Sequence, residues 1–272
     1  MRAVLDVAAT HLRVLTLCGL CLLGAGARIA SAQSCHAASL RPTSGLTYRV
    51  ALSSVLGTFT RADVRGEYQG LFVSGMVSHP WFAAELAVPG YRIARVGSHA
   101  YGPGDLMLSV RGNAFRSDDE TITVGPELAA TLPTGSANDG LGMGHVMLMP
   151  GGFLIWQQQG FTLITQLAYG RALGSAGAHN HADGPAPIVN PMNRSELSHA
   201  IGFSASVHPH LRVTGRLLGA VTLANHAGYA REIIAPGLQL VSGAFDFAIE
   251  QQLPLVGDPF VSRTLLSVGA QW

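Results

Sequence analysis

Lysine is absent from this 272-residue sequence, and its 17 basic residues are all arginine. Charge is scarce altogether: 12% of residues are charged, about half the share usual in soluble domains. With a formal net charge of +1, the chain lacks the basic footprint that nucleic-acid binding requires, and that class of partner is excluded. Also missing is any apolar run of the roughly 20 residues that a membrane-crossing helix needs. Cysteine is equally thin. Cys18 and Cys21 fall in an N-terminal apolar stretch and only Cys35 lies beyond it, so an exported chain has no internal disulfide to hold it. Phosphate loops, Cys-x-x-Cys pairs and dinucleotide fingerprints do not occur beyond that stretch, and no cofactor is expected.

What is present begins with a leader. Arg2 and Arg13 precede the apolar VLTLCGLCLLGAGA, and Ala30-Ser31-Ala32 supplies the small-residue pattern of a cleavage site. Residues 1–32 are therefore expected to be a secretory signal peptide, cut after Ala32. A lipoprotein acylated at Cys35 is the competing reading, against which stands the lack of an aliphatic residue three positions earlier. Residues 33–44 are read as a short periplasmic segment, and whether they form an inner plug is left open. The whole chain has 33 glycines and a mean hydropathy of +0.29, yet the remainder, 45–272, contains no long apolar run. In hydrocarbon every backbone donor and acceptor must be paired internally, so a spanning chain without long helices has to close into a β-barrel.

Read in steps of two, the sequence divides into alternating segments of the length that a tilted membrane strand requires, about 9 to 11 residues plus extensions. In ETITVGPELAATLPTG, Ile122, Val124, Leu128, Ala130 and Leu132 face one way, while Thr121, Thr123, Glu127, Ala129 and Thr131 face the other. The same dyad runs through GDLMLSVRGNAF and SELSHAIGFSASV. Further segments are 46–56, 64–77, 81–96, 145–156, 161–173, 211–223, 232–241, 245–253 and 261–272. The count is about twelve, with ten as the alternative, and an even number suits a bacterial outer-membrane barrel. The expected fold class is thus all-β, a closed antiparallel transmembrane β-barrel.

The links agree with this architecture, in which periplasmic turns are short and outer loops long. SHP, RSDDE, QQQG, HPH and SGA are brief, whereas GSHAYGPG, PTGSANDGLG, GSAGAHNHADGPAPIVNPMNR and ANHAGYAR are longer and rich in turn-forming residues. Both ends of the barrel then lie in the periplasm. The terminal SRTLLSVGAQW places Leu266, Val268, Ala270 and Trp272 on the lipid side. Trp272 suits an interfacial aromatic girdle and resembles the terminal signal that barrels present to their assembly machinery. A soluble β-sandwich, the rival fold, would interleave outward-facing charges, and these are few.

Several segments resemble one family. GPGDLMLSVRGNAF, the strand closing in LAATLPTG, then MLMPGGFLIW and the strand ending LPLVG are similar to the outer-membrane proteins named for the meta-cleavage pathway of phenol degradation, which are called transporter-like. The likeness runs from about Tyr48 to Trp272, and Gly104-Asp105 with Leu132-Pro133-Thr134-Gly135 are its most diagnostic pieces. Pro103 and a histidine-bearing loop depart from the pattern. The resemblance implies a barrel that passes small, often apolar or aromatic compounds.

Assigning the polar parity to the lumen places Arg49, Arg65, Arg111, Arg212, Arg216 and Arg263 inside, with Glu67, Glu85, Asp105, Glu127, Asp246 and Glu250. The signs balance. Such a set implies cross-strand pairing and no strong ionic preference, whereas a single-sign ring selects charge. These pairs either line a solute path or simply fill and stiffen the barrel. Met107, Met147 and Met149 share the inward parity and soften the path or pack around Pro150. His179 and His181 with Asp183 form a weak candidate metal site on an outer loop, and His208 and His210 lie in a periplasmic turn, so the two pairs cannot share one ion. His199 sits on the outward parity, where an ionisable group asks for a reason. Lipid hydrolysis would need a serine beside it, yet Ser198 points inward and no Gly-x-Ser-x-Gly elbow occurs.

The sequence thus reads as a monomeric outer-membrane channel for passive passage or uptake of small organic solutes, with membrane lipid and the barrel-assembly machinery as its other partners and no bond made or broken. A membrane lipid hydrolase and a structural or adhesive barrel with functional outer loops are the alternatives.

Overall fold

The computed structural model describes residues 45–61, 64–173, 192–223, 230–257 and 260–272. The expected signal peptide and the segment up to residue 44 lie outside the described residues.

Strands follow one another along the chain: β1 (Thr47–Arg61), β2 (Val64–His79), β3 (Phe82–Arg95), β4 (Ser98–Pro103), β5 (Leu106–Gly112), β6 (Phe115–Arg116), β7 (Ile122–Leu132), β8 (Val146–Gln158), β9 (Phe161–Leu173), β10 (Ser195–His208), β11 (Leu211–Thr222), β12 (Arg231–Ser242), β13 (Phe245–Val256) and β14 (Phe260–Gln271). Each pairs antiparallel with a neighbour, β1 joins β14, and β2 joins β3, so the sheet closes on itself. Because β4, β5 and β6 are successive pieces of a single stave, the result is a closed barrel of twelve strands. No described residue is helical.

Parity explains why these segments become staves. Along β7, Ile122, Val124 and Leu128 are exposed while Thr123, Gly125 and Thr131 are buried, and along β1 Val50, Leu52 and Leu56 are exposed while Arg49, Ala51, Ser53 and Val55 are buried. The barrel is therefore apolar outside and mixed inside, the reverse of a soluble globule and the arrangement that a hydrocarbon solvent requires. Leu266, 43% exposed, lies outward at the middle of β14, level with Ser54 of β1 and Ile249 of β13.

One end of the barrel is closed by tight turns. Gln159 and Gly160 both have positive φ (41° and 85°), the backbone of a two-residue hairpin turn whose twist matches the strands. The described N-terminal residues and the C-terminus meet at this end: Tyr48 and Trp272 exchange backbone hydrogen bonds of 2.9 and 3.0 Å, and their rings stack at 6.4 Å. Trp81, Phe82, Phe115, Phe245 and Phe247 are exposed near the same rim, an aromatic girdle. Longer connections lie at the opposite end.

The stretch GSHAYGPG, expected as an outer link, instead continues the sheet. Gly97, at φ 79°, makes the turn, and residues 98–103 pair with β3 as β4. The register then slips, from Gly90↔Pro103 to Ala87↔Met107. This β-bulge inverts the parity, so that Tyr101 points out and Asp105 points in. The glycines and proline mark the bulge rather than a loop.

Candidate functional site

Inside the barrel, carboxylates and guanidinium groups meet across the staves. Arg49 on β1 reaches over β14 to Asp246 on β13, with Nη2 3.0 and 3.2 Å from the two carboxylate oxygens. Gly269 lies between them, and a Cβ there would sit 2.5 Å from Arg49 Nη2 and 2.7 Å from Asp246 Oδ2. Arg216 on β11 likewise spans β12 to grip Glu250 on β13 through Nε and Nη2, at 2.7 and 2.5 Å. Glu196 on β10 spans β11, above the fully buried Ala220, to Arg231 on β12 at 2.8 Å; its other oxygen accepts the Asn193 backbone and side-chain N–H groups at 2.8 and 3.0 Å. Arg111 and Glu127 are direct register partners, 3.1 Å apart, and Gln166 donates to Glu127 from two strands away at 3.0 Å. In three of these contacts a small residue on the middle strand lets two long side chains join staves that share no backbone hydrogen bonds.

Of these groups Arg111, Glu127, Gln166 and Arg216 border a cavity of about 320 Å³, lined also by Glu85, Met107 and Met149 and by the small Ala129, Ala168, Ala200 and Gly202. Opposite it the interior is filled. Val55, Phe59, Tyr68, Tyr91, Ile93 and Phe260 form a buried apolar wall that Phe72 and Leu265 extend. The guanidinium of Arg263 lies 4.2 Å from the Phe260 ring centroid and 3.5 Å from the Tyr68 hydroxyl.

At the outer end the connection between β7 and β8, residues 133–145, folds into the mouth instead of rising from it. Leu141 and Met143 are each 2% exposed. Leu141 joins the aromatic wall, and Met143 packs with Met147 and Met192. Asp105 holds both ends of this strap, accepting the Gly135 N–H at 3.0 Å and the Met143 N–H at 2.7 Å. The Thr134 hydroxyl donates to the Gly104 carbonyl at 2.7 Å and accepts the Leu106 N–H at 3.0 Å. The two sequence patterns Gly104-Asp105 and Leu132-Pro133-Thr134-Gly135 are thus the two halves of one contact.

Of the residues expected inside, Arg49, Glu85, Asp105, Arg111, Glu127, Arg212, Arg216, Asp246, Glu250 and Arg263 lie on the inward parity. Arg65 and Glu67 do not. Buried Tyr68 and Gly70 set the inward parity of β2, which turns both charged residues outward, opposite Thr60 and Thr58. They lie beyond Leu71 and Val73, the exposed apolar residues of this strand, where water is available on both faces and a charge carries no parity information. The Glu196–Arg231 pair was not anticipated, because the turn-rich ANHAGYAR reads as loop; its only signal is Glu196 on the polar parity of its strand. Met143 and Met192 were missed for the same reason, since both precede a strand. His179, His181 and Asp183 lie outside the described residues. His208 and His210 occupy the tight turn between β10 and β11, where the His210 ring bonds the Val241 carbonyl at 3.0 Å.

His199 does face outward. Its Nε2 lies 3.2 Å from Glu232 Oε1, again across a glycine, Gly219, whose missing Cβ makes the approach possible. Leu197 and Ile201 are its outward neighbours on β10, so among the described residues of this strand no serine stands beside it.

No family model and no curated protein matches the sequence. Among solved structures, an outer membrane channel from Pseudomonas putida F1 superposes with a TM-score of 0.64 at 9% identity, covering 89% of this chain and 100% of that one. The NanC porin superposes with a TM-score of 0.51 at 12% identity, over 83% of this chain and 98% of that one. At such identities the likeness is one of fold: the chain has the β-barrel architecture of outer-membrane channels and porins.

Proposed function

We propose that this protein is a bacterial outer-membrane channel through which small organic molecules pass or are taken up passively. The observation that carries the proposal is the cavity inside a closed, apolar-coated barrel, bordered by both signs of charge in matched pairs and by methionine and alanine. Paired charges leave little net field to select ions, while polarizable thioethers and small side chains accommodate organic solutes of varied shape. Arg49, Glu85, Asp105, Arg111, Glu127, Arg212, Arg216, Asp246, Glu250 and Arg263 are proposed to line or brace this path. The resemblance to the meta-pathway family points to apolar or aromatic solutes, and the two solved structures described above are a channel and a porin. A cleaved leader of residues 1–32 would carry the chain out, with Trp272 as its mark for the assembly machinery and membrane lipid as its surroundings.

The test is solute flux into liposomes that contain the purified protein. Small neutral solutes should enter, and Ala200→Phe, which fills the cavity, should slow entry several-fold while the barrel stays folded. The hydrolase reading keeps one supporting observation, the outward His199–Glu232 dyad. Lipase activity abolished by His199→Ala, with no permeation of any solute, would establish it in place of the channel.

A further inference from the structure

We infer that residues 133–145 form a gate over the outer end of the cavity and that Asp105 is its latch. This rests on the channel reading and adds the way the channel is opened.

The strap crosses the mouth from one interior wall to the other, with Leu141 in the aromatic cluster and Met143 in the methionine cluster. Met149 and Met192 belong both to that methionine group and to the cavity lining, so the cavity ends where the strap begins. A solute leaving or entering by this route must displace Met143. Thr134 fastens the strap's first end to Gly104 and Leu106, and one carboxylate ties that end to the other. Asp105 takes N–H groups eight residues apart, from Gly135 and Met143, and Arg95 adds a bond to the Asp139 carbonyl at 3.1 Å. Charge-assisted bonds of this kind are short and strong, yet a few of them can be broken together without unravelling the barrel. The backbone is shaped to close onto the carboxylate and to swing away from it. Gly140 and Gly144 have φ of 78° and 72°, the left-handed region that glycine enters without strain. A Cβ on Gly142 would collide with Asp105 Oδ1. A glycine-jointed strap hinged at Thr134 and tied at both ends by the Asp105 carboxylate, over a cavity, is a door with a main catch.

The experiment uses Met143→Cys with Cys18, Cys21 and Cys35 all replaced by serine, reconstituted in liposomes and treated with a small water-soluble thiol reagent. Met143 is buried when the strap is down, so the labelling rate reads its opening. Asp105→Asn puts an NH₂ where one of the two backbone donors needs an acceptor. Gly142→Ala disturbs the same contact while leaving Asp105 in place, and it carries the test should Asp105→Asn fail to fold. Both should speed labelling by about tenfold or more, the loss of one hydrogen bond to a charged group, and raise solute flux several-fold. Labelling at the parent rate in variants whose heat-modifiable electrophoretic shift shows an intact barrel would overturn the gate. Faster labelling with no flux from parent or variant would uphold the latch and overturn the channel reading instead.

Discussion

Asp246→Ala should be among the most destabilising single substitutions in the barrel. Its partner Arg49 is 7% exposed, and the side chains of the pair keep 8% and 11% of their surface. Deleting one member of a buried pair costs about 3–5 kcal/mol, mostly from the charge left behind without compensation. The small remaining exposure places the expectation near the lower end, about 3 kcal/mol. Arg49→Leu combined with Asp246→Leu removes both charges, and such replacements are roughly neutral or stabilising, so the coupling between the two sites should exceed about 2 kcal/mol on the scale of contacting residues. Gly269→Ala supplies an independent handle. Its methyl would press on Nη2 and Oδ2 together, and the cost should shrink once Asp246 is already alanine. Urea unfolding of the protein in lipid vesicles, followed by tryptophan fluorescence, gives the free energies. Simple additivity of the single changes, or an Asp246→Ala variant within about 0.5 kcal/mol of the parent, would refute a coupled buried pair.

Leu266→Arg should cost about 2–4 kcal/mol because it places a guanidinium in hydrocarbon near the midplane, whereas Ser267→Arg, facing the interior beside Ser53 and Ala248, should be much milder; equal folding free energies would contradict the parity. On the outer face, Glu232 Oε2 is buried without a partner, so His199→Leu alone should destabilise by about 1–3 kcal/mol. Replacing His199 and Glu232 together by leucine should restore the parent midpoint, and a double variant as weak as the single would show that the dyad contributes more than mutual compensation. In the turn that links β6 to β7, the Ser117 and Thr121 hydroxyls and the Thr121 N–H hold the Asp119 carboxyl below the usual carboxylate range. Its folded-state pKa being depressed, the support that it lends the turn is present above the ordinary carboxylate pKa and is lost as pH falls through the folded value. Amide exchange at Thr121 should therefore quicken on acidification after correction for intrinsic rates, and not do so in Asp119→Ala.

How much of this is legible in the sequence depends on what borders each residue. Where lipid touches one face, period-two alternation is enforced by solvation on every step, and β7 and β14 read correctly down to Leu266 and Ser267. Beyond the lipid belt that enforcement stops, which is why Arg65 and Glu67 mislead and why ANHAGYAR conceals Arg231. Glycine and proline mislead in another way. In GSHAYGPG they signal a turn to a reader of composition, but the fold uses them for a bulge that re-aims Asp105. The partner of each ion pair is also invisible in the sequence. Pairs such as Arg49–Asp246 and Glu196–Arg231 bridge alternate staves, so the information needed is the size of a residue on a third strand, Gly269 or Ala220.

That third residue links the braces to the cavity. A narrow barrel has room inside for little beyond its own side chains, so empty space exists only where inward positions are small. On the staves β1 to β3 the inward set includes Val55, Phe59, Tyr68, Tyr91 and Ile93, and this wall is full. On β7, β9 and β10 it includes Ala129, Ala168, Ala200 and Gly202, and here the cavity opens. Yet a wall of small residues loses the packing that stiffens the opposite side, and the arginine and glutamate braces stand at that margin: Arg111 with Glu127 and Gln166, and Arg216 with Glu250. Bracing and cavity are therefore two consequences of one choice of side-chain size. Long charged groups folded along the wall keep the staves together while leaving the cavity beside them empty, which bulky apolar fillers could not do.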